Sequence, residues 1–83
     1  MRILPLHKSL QKYLRKHQLE KIFEKQISIF EENAKHPGLH TELLEPKRLR
    51  IYSFRLTNRY RAIFIFRKDK NAVEIIDIND HYQ

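Results

Sequence analysis

Cysteine is absent from the 83 residues, so neither a disulfide nor a thiolate metal site can staple this fold. A chain of that kind suits a reducing compartment and is no secreted, disulfide-knotted scaffold. Also missing is any apolar run close to the ~20 residues that a membrane-spanning helix needs. The opening Met1-Arg2-Ile3-Leu4 meets Pro5 too early to build the hydrophobic stretch of a signal peptide. The expectation is a cytoplasmic protein without a membrane partner. Repeats, low-complexity tracts and linker-like stretches are missing as well, which leaves one domain over residues 1–83.

Acid is in short supply. Ten Asp and Glu stand against seventeen Lys and Arg, a net charge of +7, and that balance favours an anionic partner: nucleic acid, an acidic protein or a membrane surface. A hydrophobic fraction of 41% with five Phe and four Tyr points to a packed core rather than a disordered chain.

The apolar period changes once along the chain. Arg2-Ile3-Leu4 reads as a short strand stopped by Pro5. Leu6, Leu10, Tyr13 and Leu14 then recur at helical spacing, with Lys8, Gln11, Lys12 and Arg15 on the other side. Lys16-His17-Gln18 breaks the pattern, and a second stripe follows through Leu19, Ile22, Phe23, Ile27, Phe30 and Ala34. Glu31 and Lys35 would pair at i,i+4, and Pro37-Gly38 would end that helix. From residue 50 the period becomes two. Residues 50–56, 60–67 and 72–78 read as strands, with turns at Thr57-Asn58-Arg59 and Asp69-Lys70-Asn71. The fold class is therefore α+β: an N-terminal helical hairpin packed on one face of a small, mainly antiparallel sheet of three to four strands.

Register carries the first argument about a site. Tyr52, Phe54 and Leu56 face the same core as Tyr60, Ala62, Phe64 and Phe66 only if Leu56 pairs near Tyr60. The turn is then three residues long, with Asn58 or Arg59 near the left-handed region. That register puts Ser53, Arg55, Arg61 and Ile63 on the helix-free face and sets two arginines side by side. Like charges so placed repel unless an anion bridges them, and a phosphate is the obvious anion. Neither Arg61 nor His81 lies on the core face, so replacing either should leave the fold intact.

Several phrases together resemble the RelE/ParE toxin superfamily of type II toxin–antitoxin pairs. They are His36-Pro37-Gly38-Leu39, Glu42-Leu43-Leu44, Ile51-Tyr52-Ser53-Phe54-Arg55-Leu56, Tyr60-Arg61-Ala62-Ile63-Phe64 and Asp77-Ile78-Asn79-Asp80-His81-Tyr82. The His81-Tyr82 ending is most similar to the YoeB-like branch of ribosome-associated mRNA endonucleases. The resemblance implies a phosphate-binding arginine at Arg61, a basic neighbour at Arg55, a loop carboxylate at Glu42, and a C-terminal general acid at His81 with Tyr82 beside it. It implies a cognate antitoxin, mRNA and the ribosome as partners, and no metal or other cofactor.

Those residue types suit RNA cleavage without a metal. The reaction needs a base for the ribose 2′-OH, positive charge on the phosphate and an acid for the leaving 5′-oxygen. Histidine titrates near neutrality, and arginine forks two hydrogen bonds onto a phosphate. Tyr82 would stack on a base or fix His81. Lys47, Arg48 and Arg50 would hold RNA backbone. Each residue also has a plainer reading: Arg61 as a solvated strand arginine, Glu42 as an ion-pair partner of Lys47 or Arg48, Tyr82 as a cap on the core, His81 as an exposed side chain, the basic run as a solvated cluster. His7, His17, His36 and His40 show no metal-ligand spacing and read as surface or capping residues. Three functions remain open: the endoribonuclease toxin, a ParE-like inhibitor that binds a protein such as gyrase without nuclease chemistry, and a degenerate member that only pairs with its antitoxin.

Overall fold

The computed structural model describes residues 1–81. Helix α1 spans Lys8–Lys16 and buries Leu10 and Leu14. It ends where Gln18 takes a left-handed φ of 56°. The Leu19 amide then donates to the Leu14 carbonyl at 2.8 Å and the Gln18 amide to the Arg15 carbonyl at 3.2 Å, a Schellman closure. Glycine usually fills that left-handed position; here glutamine bears the strain. The outer face of α1 carries Lys8, Lys12, Arg15 and Lys16 and no acid. Like-charge pairs at i,i+4, such as Lys8 with Lys12 and Lys12 with Lys16, each cost an isolated helix ~0.2–0.5 kcal/mol.

Helix α2, Glu20–Glu32, buries Phe23, Gln26 and Phe30. It stops earlier than its apolar stripe suggests. Asn33 adopts an extended conformation, and its Oδ1 accepts the Lys35 amide at 3.1 Å, so the side chain replaces the next helical bond. Lys35 therefore lies outside the helix and does not pair with Glu31. Glu31 instead ties down the N-terminus: its carbonyl accepts the Met1 ammonium at 3.0 Å, and its carboxylate accepts the Ile3 amide at 3.3 Å.

Four antiparallel strands follow in the order β1–β2–β3–β4: Glu42–Leu43, Ile51–Arg55, Arg61–Arg67 and Ala72–Asn79. Residues 2–4 add a single parallel bridge, Ile3 to Val73. The expected register holds, with Phe54 opposite Ala62 and Arg55 opposite Arg61. The turn at 57–59 is built differently, since neither Asn58 nor Arg59 has positive φ. Instead the Thr57 hydroxyl accepts the amides of Arg59 and Tyr60, both at 3.1 Å. A bulge at Ile63/Phe64 lets Asp77 and Ile75 face consecutive β3 residues.

The core lies between the helices and one sheet face. Leu10, Leu14, Leu19, Phe23 and Phe30 meet Phe54, Leu56, Ala62, Phe64, Val73, Ile75 and Ile78. Phe30 packs edge-on to Phe64 with centroids 5.2 Å apart. Phe66 continues the apolar row of β3 but is 43% exposed, because α2 ends too soon to cover it. No helix among the described residues is long and apolar enough to cross a membrane.

Candidate nucleic-acid interface

Strand pairing builds one polar corner on the helix-free face. Arg55, Arg61 and Asn79 stand in one cross-strand row; Glu42, Ser53, Ile63 and Asp77 stand in the next. Glu42 reaches this corner because Glu42–Leu43 pairs with β2 as an edge strand, in a stretch whose pattern reads as loop. The Asn79 amide group donates to Asp77 at 2.7 Å, and its Oδ1 accepts the His81 amide at 3.2 Å. That bond turns the C-terminal segment back beside the strand end that faces Arg61. The register thus brings Glu42, Arg55, Arg61 and the backbone of His81 to one end of the sheet.

Arg61 is buried, only 6% exposed, and is no solvated strand arginine. Its Nε donates to Ser53 Oγ at 2.9 Å, and its Nη2 donates to the His40 carbonyl and, at 3.4 Å, to the Ser53 carbonyl. Ser53 is fully buried. Burial lowers the affinity of the guanidinium for its proton, the Glu42 carboxylate opposes that, and the Arg55 charge adds to it. An arginine keeps its charge through such shifts. Arg61 therefore supports the fold as well as the corner, which corrects the expectation that its replacement leaves the fold intact.

The flanks of the corner are held by residues that the sequence pattern passed over. Gln26, buried in α2, donates to the Arg55 carbonyl at 2.7 Å and to the Gly38 carbonyl at 3.4 Å. It fixes the end of β2 and the turn at Pro37–Leu39 to the helix layer. Its position three residues after Phe23 and four before Phe30 marks it as inward-facing and was the available signal. Asp77 and Asn79 left no such sign, because a polar residue on alternate strand positions looks like ordinary solvent exposure.

His81 itself is largely exposed, with Nε2 3.8 Å from Asp80 Oδ1. Asp80 is engaged by Arg59 at 3.1 Å, and that hydrogen bond holds its carboxyl below the usual range. Arg59 also lies over the Tyr60 ring, 5.4 Å from its centroid. On the helix side Tyr60 joins Tyr13 and His17, its hydroxyl 3.2 Å from His17 Nδ1. Burial and nearby negative charge raise the Tyr13 phenol above its ordinary pKa. Tyr82 lies outside the described residues.

Lys47, Arg48 and Arg50 sit elsewhere. They occupy the turn at Lys47–Leu49 and the left-handed position of Arg50 just before β2, and the four strand steps from Ile51 to Arg55 at ~3.3 Å, about 13 Å, separate that turn from the corner. No ion pair joins Glu42 to Lys47 or Arg48 among the described residues. The remaining histidines behave as surface or capping groups. His36 Nδ1 accepts the Gly38 amide at 2.9 Å, and His7 pairs with Glu74 at 2.7 Å. Among the described residues no cluster of three His, Cys, Asp or Glu is placed to hold a metal ion.

No protein-family model matches the sequence, and no curated protein matches it. Among solved structures it is similar to the YoeB dimer from Staphylococcus aureus, at 20% identity and a TM-score of 0.66, covering 98% of this chain and 94% of that one. The chain has the YoeB fold. With so much of both chains aligned, the likeness extends through helices and sheet alike, and the polar corner belongs to the helix-free face of a YoeB-type sheet.

Proposed function

We propose that this protein is the toxin of a type II toxin–antitoxin pair and cuts mRNA, bound at the ribosome, by metal-independent transesterification. The observation that carries the reading is the cross-strand pair Arg55–Arg61 beside Glu42, at the strand end where His81 begins. Two adjacent guanidinium groups concentrate positive charge next to the Glu42 carboxylate, and a phosphodiester suits that charge. Glu42 accepts the proton of the ribose 2′-OH, whose oxygen attacks the neighbouring phosphorus. Arg55 and Arg61 stabilise the charge that develops on the phosphoryl oxygens. His81 gives its proton to the departing 5′-oxygen, leaving a 2′,3′-cyclic phosphate and a free 5′-hydroxyl. Because Arg61 is already fixed by Ser53 and His40, its charge needs no rearrangement as the phosphate changes shape.

Tyr82 would stack on a neighbouring base or orient His81. Lys47, Arg48 and Arg50 lie too far from the corner to touch the scissile phosphate and would hold more distant RNA backbone. The cognate antitoxin would neutralise the protein in a cytoplasmic setting.

A second reading has one observation in its favour. Arg61 spends donors on Ser53 and His40, as a purely structural arginine would. That favours a ParE-like inhibitor that blocks gyrase by binding alone. Induced expression with primer extension on a reporter mRNA separates the two. The nuclease reading expects new 5′ ends within codons, and His81→Ala should slow their formation by roughly a hundredfold to ten thousandfold. Growth arrest with intact mRNA and blocked DNA supercoiling would establish the second reading.

A further inference from the structure

Helix α1 gathers positive charge without a matching acid among the described residues; only Arg15 and Lys16, in its last turn, sit where the helix dipole favours them. Its nine residues hold Lys8, Lys12, Arg15 and Lys16 but no acid, and its first turn offers the helix dipole no negative charge. Spacings of three and four set these cations on the solvent side, opposite the buried Leu10 and Leu14. All four are exposed, and none makes a side-chain hydrogen bond or ion pair among the described residues. Arg59 and Arg67, by contrast, each hold an acid. The nearest acids of α2, Glu20 and Glu24, border a hollow beside Arg15 without closing a bridge. Helix α2 carries two lysines against four glutamates, so the excess positive charge is segregated on one helix. A local conflict of this kind, with mutually repelling cations and no acid partner among the described residues, is the mark of a surface completed by something else.

We infer that the outer face of α1 is a second RNA-docking surface, one that grips the phosphate backbone of double-helical RNA. That the polymer is RNA rests on the function proposed above; that it is anionic follows from the charges of α1 alone. A shallow hollow on this face is lined by Lys8, Ser9, Gln11, Lys12 and Arg15, with no apolar side chain. A protein partner would need an aromatic or aliphatic anchor at the centre of such a contact, and lysine is depleted there. Single-stranded RNA would need exposed rings to stack on. The aromatic residue of α1, Tyr13, is turned into the cluster with His17 and Tyr60. What remains is a row of flexible point charges about 12 Å long at 1.5 Å per residue, suited to sequence-independent phosphate contacts.

The surface lies across the sheet from the Arg55–Arg61 corner. A message held at the corner and a helix held at α1 would therefore be separate RNA segments, with the protein between them. This geometry ties the toxin to structured RNA around its substrate rather than to free message.

The test uses the full chain and a fluorescent RNA duplex of about 16 base pairs carrying 2′-O-methyl groups, which leaves no nucleophile for cleavage. Binding is followed by anisotropy across salt concentrations for the parent and for the combined variant Lys8→Gln, Lys12→Gln, Arg15→Gln, Lys16→Gln. The variant should bind at least about tenfold more weakly at low salt, and its log–log salt slope should fall by roughly 3–4, about 0.9 per lost contact. Its thermal midpoint should stay close to the parent's, since the repulsion removed and the dipole contacts of Arg15 and Lys16 lost are of similar size, so weaker binding at an unchanged midpoint cannot be laid to misfolding. Unchanged affinity and slope would overturn the inference, even if the parent cleaves mRNA. Loss of binding to polyglutamate with duplex binding intact would also overturn it, by assigning the face to an acidic protein. A parent that cuts no message but loses duplex binding with the four charges would leave the surface standing and remove the nuclease reading.

Discussion

Replacing Ser53 by alanine tests the structure at its most consequential buried polar contact. Ser53 is fully buried, and its hydroxyl accepts Arg61 Nε at 2.9 Å. Alanine removes the acceptor and leaves a charged donor in a site that water reaches poorly. Hydrogen bonds to charged groups contribute about 1.5–3 kcal/mol, and an orphaned buried donor costs a similar amount. A domain of this length is stable by about 4–12 kcal/mol, at roughly 0.05–0.15 kcal/mol per residue, so the loss is a large share. With a urea slope near 1 kcal/mol/M, a loss of about 2 kcal/mol moves the midpoint down by about 2 M. Arg61→Met should cost a comparable amount, because it releases both Ser53 and the His40 carbonyl. The double variant also removes the Nε donor whose hydroxyl acceptor Ser53→Ala deletes, and it should be more stable than the sum of the singles by about 1–2 kcal/mol. Urea denaturation of the four proteins at equal slope supplies the cycle. Strict additivity would refute the coupling and with it the view of Arg61 as a guanidinium held in place by its neighbours.

Gln18→Gly should raise stability by about 1 kcal/mol, because the left-handed φ of 56° strains a side chain and not a glycine; an unchanged unfolding midpoint would mean the backbone relaxes there. Phe54→Ala should cost about 3–5 kcal/mol, read as a lowered urea midpoint, since Phe54 is fully buried between Phe30 and Phe64; an unchanged midpoint would show that the neighbouring rings refill the space. Acid should destabilise the fold through Glu74 and Asp69. The hydrogen bonds of Arg67 hold both carboxyls below their ordinary values, with His7 helping on Glu74. Their contribution is complete above the unfolded carboxylate range near about 4 and disappears as pH falls through the lower folded values. Glu74→Gln should therefore flatten the acid limb of a stability–pH profile, and an unaltered limb would show that the Arg67 cluster adds nothing.

Periodicity alone was enough to specify several elements. Alternation in 51–56 and 60–66 is two-fold, and one face had to be buried, so only one register kept Phe54, Leu56, Ala62 and Phe64 inside. The Arg55–Arg61 pair followed from that register and from nothing else. The helical stripe through Leu10, Leu14, Phe23 and Phe30 was equally legible, as was the +7 charge. Other features depend on contacts that no period encodes. Asn33 ended α2 with a local side-chain bond, which left Lys35 without its expected partner and Phe66 uncovered. Pairing of Glu42–Leu43 to β2 was invisible in a stretch of two residues, yet it carries Glu42 to the arginines. The largest surprise was Arg61: alternation said which face it occupies but not that the His40 carbonyl and Ser53 close over it. Burial on a sheet face depends on what the chain lays across that face, and here a loop distant in sequence supplies the cover.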